Sequence, residues 1–247
     1  MNEFDLKKGQ RMVILDEGEY SDFLEYMKSK TDSAIVSNSV ITPNQYILLD
    51  ESIGSLISIN KFHHNNTWHK MHELLQKEDS FMPNPNDFRS LLLLLSERKA
   101  RYADGSKIKE EEQIRIYNEI TEVRSPLRGE YLDARFEKRK DELYLLSDHI
   151  VQSNNSLVPS AQEILHPETL MKDRVPGISL EDYIRNLTPQ GLPRNDVKKG
   201  DLYYWYPKNE CVVMFNADSG RSWLSCDRNP QYSYSSLGVR RKIFHRK

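Results

Sequence analysis

The middle of this chain has a helical pattern of hydrophobic and polar positions, and both ends have a strand pattern. Within residues 64–125, apolar side chains recur three and four positions apart in TWHKMHELLQKED, DFRSLLLLLSERKA and KIKEEEQIRIYNEITEV, which predicts amphipathic helices. Asp87 follows the turn signal PNPN and is a candidate N-cap. We therefore expect a helical insertion over 64–125 that packs on another part of the molecule.

Strand patterns lie on both sides of this helical region. Residues 34–52 are β-branched and interrupted at 42–44 by Thr-Pro-Asn, which predicts two strands around a turn. Residues 131–151 predict a hairpin that turns near 139–141, and a short helix is expected from about residue 180. From residue 202 onward the chain has strand character.

These elements predict an α+β fold in which the two ends of the chain meet in one sheet region. The expected organisation is an N-terminal tail with a short helix over residues 1–33, followed by a single domain over 34–247. The last part of this domain, 202–247, carries the most unusual pattern.

The stretch around Ser219-Gly220 can be tested for strand register. If these two residues form the turn of a hairpin, Asn216 faces Trp223 and Met214 faces Ser225. Because strand side chains alternate, one face then collects a plausible core set: Val213, Phe215, Ala217, Ser222, Leu224 and Cys226. The other face is expected to point to solvent and collects Met214, Asn216, Asp218, Arg221, Trp223 and Ser225.

The loop that follows, DRNPQYSYSS, continues this mixed chemistry. Tyrosine next to serine, asparagine and arginine is the composition of recognition surfaces, because tyrosine supplies a large contact area with few rotatable bonds. An ordinary solvent-facing hairpin with a long polar loop explains the composition equally well. If the outward side chains make no contacts that stabilise the fold, replacing Asn216, Trp223 and Tyr232 together should leave the melting temperature nearly unchanged.

The segments LYYWYP, VVMFNADSGRSWLSCDRNP and SSLGVRR resemble the C-terminal part of a C-type lectin-like fold of the formylglycine-generating-enzyme type. Such folds close with a strand that ends in Gly-Phe-Arg or Gly-Val-Arg, as Gly238, Val239 and Arg240 do here. More narrowly, the segments look like the variable proteins of diversity-generating retroelements, particularly those from archaea and their viruses.

In that family a reverse transcriptase rewrites adenines in the last part of the gene, so that exposed positions vary on a constant scaffold. The resemblance implies these scaffold residues: Trp205, Phe215, Ala217, Ser219, Gly220, Leu224, Pro230, Leu237, Gly238, Val239 and Arg240. It implies these variable, ligand-binding positions: Met214, Asn216, Asp218, Arg221, Trp223, Ser225, Asp227, Arg228, Asn229, Tyr232, Tyr234 and Ser235.

The resemblance implies a protein that binds a ligand, which we expect to be another protein. It implies neither catalytic activity nor a cofactor. Two other functions stay open. One is an enzyme of the formylglycine-generating type or a His-ligated metalloenzyme, and the other is a structural or interaction module of a virus or a cell surface. The oligomeric state and the ligand's identity are not determined by these patterns.

Charge and hydropathy limit the classes of partner that the protein is expected to bind. With 35 Lys and Arg against 37 Asp and Glu, the formal charge is −2, so no overall basic field favours nucleic acid. The basic cluster at 240–247 is expected to be a solvated tail or a strand edge. The sequence has neither a signal-peptide core nor an apolar run long enough for a membrane span, which predicts a soluble protein, cytoplasmic or held at a surface by other means.

Metal and thiol chemistry receive little support from the sequence. His69 and His72 could share a helix face, but the spacing is not His-Glu-x-x-His and no third ligand is evident, so we expect no metal. Calcium is not expected either, because the Glu-Pro-Asn type of sugar-binding signature is missing. Cys211 and Cys226 lie diagonally in the predicted hairpin, which favours free thiols over a disulfide.

Overall fold

Two β-sheets and four α-helices make up residues 42–244, the part of the chain that the computed structural model describes. The helices are α1 (Trp68–Lys77), α2 (Pro85–Ser96), α3 (Glu110–Thr121) and α4 (Leu180–Arg185). The strands are β1 (Tyr46–Asp50), β2 (Ser55–Ser58), β3 (Arg128–Arg139), β4 (Glu142–Val151), β5 (Leu157–Ile164), β6 (Arg174–Ile178), β7 (Leu202–Trp205), β8 (Val212–Ala217), β9 (Ser222–Arg228), β10 (Leu237–Gly238) and β11 (Lys242–Phe244).

The larger sheet has eight strands, in the order β5-β4-β3-β8-β9-β7-β6, with the short β10 parallel to β3. Strand β7 runs parallel to β9, and the other neighbours are antiparallel. The smaller sheet has the order β1-β2-β11. Because β11 pairs with β2, the two ends of the described chain meet in one sheet, as predicted, and the fold class is α+β.

Most of the predicted local elements are confirmed. Three helices lie within the stretch 64–125, α4 begins at Leu180, and the β3–β4 hairpin turns at Lys140, which has a positive φ of 54°. Strand β1 confirms the second of the two strands predicted over 34–52. The N-terminal tail, its short helix and the first of those strands fall outside the described residues. No helix between residues 42 and 244 is long and apolar enough to cross a membrane.

The start of α2 differs from the prediction by three positions. Asn84, not Asp87, is the N-cap, and its side chain accepts a hydrogen bond from the Asp87 N–H at 3.0 Å. The Asp87 carboxylate accepts one in return from the Asn84 N–H at 3.0 Å. This is a capping box, in which the two residues satisfy each other's backbone donors, and Pro85 follows the cap without losing a bond.

The helices cover both faces of the centre of the large sheet. Helices α2 and α3 pack on one face, where Phe88 and Phe215 lie with ring centroids 5.2 Å apart. Helix α1 packs on the other face, where Trp68 joins a buried cluster with Tyr131 and Met214. Since both faces are covered, every residue of β8 is buried.

Candidate functional site

The C-terminal hairpin has the predicted turn and the predicted register over its outer part. Asn216 pairs with Trp223 and Met214 with Ser225, and the Asp218 N–H donates to the Arg221 carbonyl at 2.9 Å across the turn. The Asp218 carboxylate also accepts hydrogen bonds from the N–H groups of Gly220 and Arg221, at 2.7 and 2.9 Å. Asp218 is therefore part of the turn itself.

Three residues predicted to face solvent are buried instead. Met214 is 1% exposed, and Asn216 and Ser225 are 0% exposed. The register prediction is right from Ala217 to Met214 and shifts by one residue at Val212, which pairs with Arg228. The face that carries the three residues is covered by α1 and by the loop after β9. The expectation that this whole face points to solvent is therefore wrong for these three side chains.

Asn216 has a specific structural partner in the loop. The Tyr234 hydroxyl donates a hydrogen bond to Asn216 Oδ1, directly above Gly129, which pairs with Asn216 in the β3–β8 ladder. A Cβ atom at Gly129 would clash with both the Tyr234 hydroxyl and the Asn216 amide, so a larger residue there would displace this hydrogen bond. Burial raises the pKa of Tyr234, which keeps the hydroxyl a neutral donor.

The loop between β9 and β10 is held through its backbone. The Trp68 N–H, at the start of α1, donates to the Pro230 carbonyl at 3.0 Å, and the Tyr131 hydroxyl donates to the Tyr232 carbonyl at 2.7 Å. The Asn65 N–H donates to the Leu237 carbonyl at 3.0 Å. These contacts fix the path of the loop without using its outward side chains.

Nine of the predicted binding positions reach the surface in full or in part. The exposed ones are Arg221, Asn229, Tyr232 and Ser235, and the half-buried ones are Asp218, Trp223, Asp227, Arg228 and Tyr234. Gln231 and Ser233 are exposed beside them. The hairpin tip and the loop therefore form one surface, which we call the C-terminal surface.

Aromatic rings and guanidinium groups pair on the C-terminal surface. The Arg221 guanidinium lies 5.1 Å from the centroid of the Tyr203 ring, and that of Arg228 lies 5.0 Å from the Tyr232 ring. Tyr232 and Tyr234 make an edge-to-face contact at 5.5 Å. Such contacts hold large side chains in place while leaving part of each open to a ligand.

Tyr203 extends this surface and was not predicted. It lies opposite Trp223 because β7 runs parallel to β9, and its ring centroid is 6.2 Å from that of Trp205. The alternation in LYYW, with Leu202 and Tyr204 buried and Tyr203 and Trp205 half-buried, is the signal that could have found it. The parallel pairing with β9 has no local signal.

The surface also carries charged and unpaired groups. Asp227 pairs with Lys208 at 2.8 Å, and this hydrogen bond raises the pKa of Lys208. Trp223 Nε1 and Arg228 Nε are buried donors without a hydrogen-bond partner among the described residues. An unmet buried donor costs ~1–3 kcal/mol.

Both cysteines are free, as predicted, but they differ in access. Cys226 is fully buried and Cys211 is partly exposed, and burial raises the pKa of both thiols. We expect the native protein to react slowly through Cys211 with a disulfide reagent at pH 8, and Cys226 to react only on unfolding. Thiol titration by absorbance checks this, with Cys211→Ser expected to remove the native phase. Equal rates for both thiols in the native state would contradict it.

The basic cluster near the C-terminus is not a solvated tail over its described part. Arg240 is 3% exposed and pairs with Glu130, and Lys242 is 9% exposed and pairs with Asp87 at 2.8 Å. Strand β11 does lie at the edge of the smaller sheet, as the alternative prediction had it. Both cationic side chains therefore form ion pairs inside the fold.

The two histidines considered for a metal do not share a site. His69 is half-exposed, with its Nε2 3.6 Å from Glu73 Oε1. His72 turns inward and is buried beside Asp133 and His149.

Comparison of the chain with protein-family models, with curated proteins and with solved structures found no match to any of them.

Proposed function

We propose that this chain is a non-enzymatic protein that binds a ligand, itself a protein, through the C-terminal surface. The observation that carries the proposal is that the loop after β9 is held through its backbone, while several of its side chains are exposed. Its backbone is bound by Trp68 and Tyr131, whereas Asn229, Tyr232 and Ser235 project outward. Side chains can then change without loss of the backbone that presents them.

The chemistry of the surface fits a protein ligand. Arg221, Trp223, Arg228 and Tyr232 belong to the residue types that dominate binding energy at protein interfaces. Strand pairing and the hydrogen bonds to the loop hold their backbone in place, which lowers the entropic cost of binding. A small-molecule site would instead enclose its ligand in a deep, largely apolar cavity.

We further propose a C-type lectin-like scaffold with a helical insertion over 64–125, diversified by retroelement-guided adenine mutagenesis. The return of β11 to β2, directly after Gly238-Val239-Arg240, supports such a closing strand. Burial narrows the positions that we propose to vary to Arg221, Trp223, Asp227, Arg228, Asn229, Tyr232 and Ser235, with Gln231 and Ser233 added. Met214, Asn216 and Ser225 are left out as buried, and Asp218 and Tyr234 as structural partners.

The DNA around the gene tests the diversification directly. We expect a reverse-transcriptase gene and a near-copy of the segment that encodes residues 203–240, with differences almost only at adenines of the template. Those differences should fall in codons of the exposed set and spare the codons of Phe215 and Leu224. Finding neither the repeat nor the reverse transcriptase would overturn this part of the proposal.

A library test addresses binding without knowledge of the natural ligand. Randomising Arg221, Trp223, Arg228 and Tyr232 should yield displayed variants that bind hen lysozyme and other purified test proteins, with most members folded. The matched library randomises four exposed positions of α3: Glu111, Arg115, Asn118 and Glu119. We expect at least tenfold fewer binders from it, because the charged helix face lacks constant neighbouring rings such as Tyr203 and Tyr234. Equal yields would contradict a specialised surface.

A further inference from the structure

A second group of side chains meets between helix α1 and the large sheet. His72 of α1, Asp133 of β3 and His149 of β4 bring one ligand-type atom each to within 4.8 Å of one another. They are 3%, 1% and 5% exposed, respectively. Three groups that prefer water or a partner are thus enclosed together.

Hydrogen bonds satisfy two members of the group but not the third. Asp133 Oδ1 lies 2.5 Å from His149 Nδ1, and Asp133 Oδ2 accepts from the His149 N–H at 2.9 Å. His72 Nε2 lies 3.6 Å from Asp133 Oδ1, too far for a hydrogen bond, and has no other partner among the described residues. A buried nitrogen therefore points at a buried carboxylate without bonding to it.

Trp68 encloses the group. Its ring is edge-on to His72 and to His149, with centroids 4.4 and 4.9 Å away, and its Nε1–H donates to the Leu132 carbonyl at 3.0 Å. Burial lowers the pKa of His72 to about 3, so its imidazole is neutral and has a lone pair to donate. The Trp68 ring limits the access of water to the three side chains, so a cation bound there would be held by the protein ligands.

We propose that His72, Asp133 and His149 form a binding site for one divalent transition-metal ion, with zinc as the best fit. Imidazole nitrogen and carboxylate oxygen are common zinc ligands, at bond lengths of ~2.0–2.2 Å, which separates neighbouring ligand atoms by roughly 3.3–3.6 Å. The His72–Asp133 distance of 3.6 Å already matches this spacing. The metal replaces the proton shared by Asp133 and His149, whose atoms move apart by about 1 Å, and a water completes the coordination.

The site has a structural role. It joins α1 to the β3–β4 hairpin, and α1 is the helix whose first N–H holds Pro230 and whose Trp68 packs in one cluster with Met214. Metal binding would therefore stiffen the platform under the C-terminal surface. This role does not depend on what that surface binds.

The test uses the full chain purified without chelators. We expect about one zinc per chain by elemental analysis, and a visible absorption band of four-coordinate cobalt when Co²⁺ is added to the EDTA-stripped protein. Free zinc at ~100 times Kd should raise the melting temperature of the stripped protein by about 5–10 °C. Unstripped wild-type protein without stoichiometric metal, together with stripped protein that neither gains stability from zinc nor gives the cobalt band, would overturn the proposal.

Matched variants on one helix locate the site. His72→Gln should abolish the zinc-induced rise in melting temperature, whereas His69→Gln, one turn away and half-exposed, should keep it. An equal loss in both variants would contradict the assigned ligands. If His72→Gln does not fold, the metal content and cobalt spectrum of the wild-type chain still decide the proposal.

Discussion

Replacing Arg240 with alanine is expected to lower the free energy of unfolding by about 3–5 kcal/mol. Arg240 and Glu130 are 3% and 4% exposed, and Arg240 Nε donates to Glu130 Oε2 at 2.9 Å. Arg240 Nη1 also donates to the Ser58 carbonyl at 3.1 Å, so the side chain joins the large sheet to the small one. Its removal leaves the Glu130 carboxylate buried and without its counter-charge. Urea unfolding followed by circular dichroism measures the loss.

A more exposed ion pair on β3, the strand of Glu130, is the control. Arg135 of β3 pairs with Glu210, with side chains 36% and 58% exposed, and Arg135→Ala should cost only ~0–1 kcal/mol. The double variant Glu130→Leu with Arg240→Met should recover part of the loss, since no charge is then left buried. Similar losses for Arg240→Ala and Arg135→Ala would show that burial of the Glu130 pair contributes nothing.

Met214→Ala is expected to cost about 2–5 kcal/mol, whereas Tyr232→Ala should change stability by no more than ~0.5 kcal/mol. Met214 is 1% exposed and packs with Trp68 and Leu237, so its truncation leaves a cavity under α1. Tyr232 is 43% exposed. Thermal and urea unfolding of the two variants, with Arg221→Ala as a second exposed control, measures the difference.

The same reasoning revises the expectation for the triple replacement of Asn216, Trp223 and Tyr232. Loss of the Asn216 amide removes the acceptor of the buried Tyr234 hydroxyl, so the triple variant should be destabilised, mainly through Asn216. A Trp223, Tyr232 double variant should stay much closer to the wild type. If Met214→Ala and the triple variant both unfold like the wild type, the buried face tolerates change as freely as the sequence pattern predicted.

This contrast matters for the proposed mechanism of binding. A surface can be varied at random only where replacing a side chain leaves neither a buried cavity nor an unsatisfied buried polar group. Along β8 that condition fails at every position, since α1 covers one face and α2 and α3 the other. Variation is therefore expected at the hairpin tip, at the partly exposed positions of β9 and in the loop, and not along β8.

Local rules predicted much of the secondary structure but missed strands β2, β5 and β6. The Ser219-Gly220 turn and period-two alternation predicted the pairing of Asn216 with Trp223, because a short turn leaves one register. The spacing of apolar residues predicted the helices of the 64–125 region. The cap of α2 was placed three residues late because Asp87 is the reciprocal partner in a capping box, whose other member, Asn84, is an equally good cap.

The candidate sites could be predicted only in part, for a different reason. Alternation separates the two faces of a strand, but it does not say whether the second face meets water or a helix. The prediction for Met214, Asn216 and Ser225 failed on this point. Likewise, His72 was considered with His69, its neighbour in sequence, whereas its partners in space lie on β3 and β4.

The sequence by itself determined the α+β class, the helical middle, the hairpin register near its turn and the polar, aromatic chemistry of the C-terminal surface, because these depend on residue spacing over a few positions. Only the tertiary structure decided that β8 is buried on both faces, that Tyr203 lies beside Trp223, and that His72, Asp133 and His149 meet. Those facts follow from the packing of elements distant in sequence, which local periodicity does not encode.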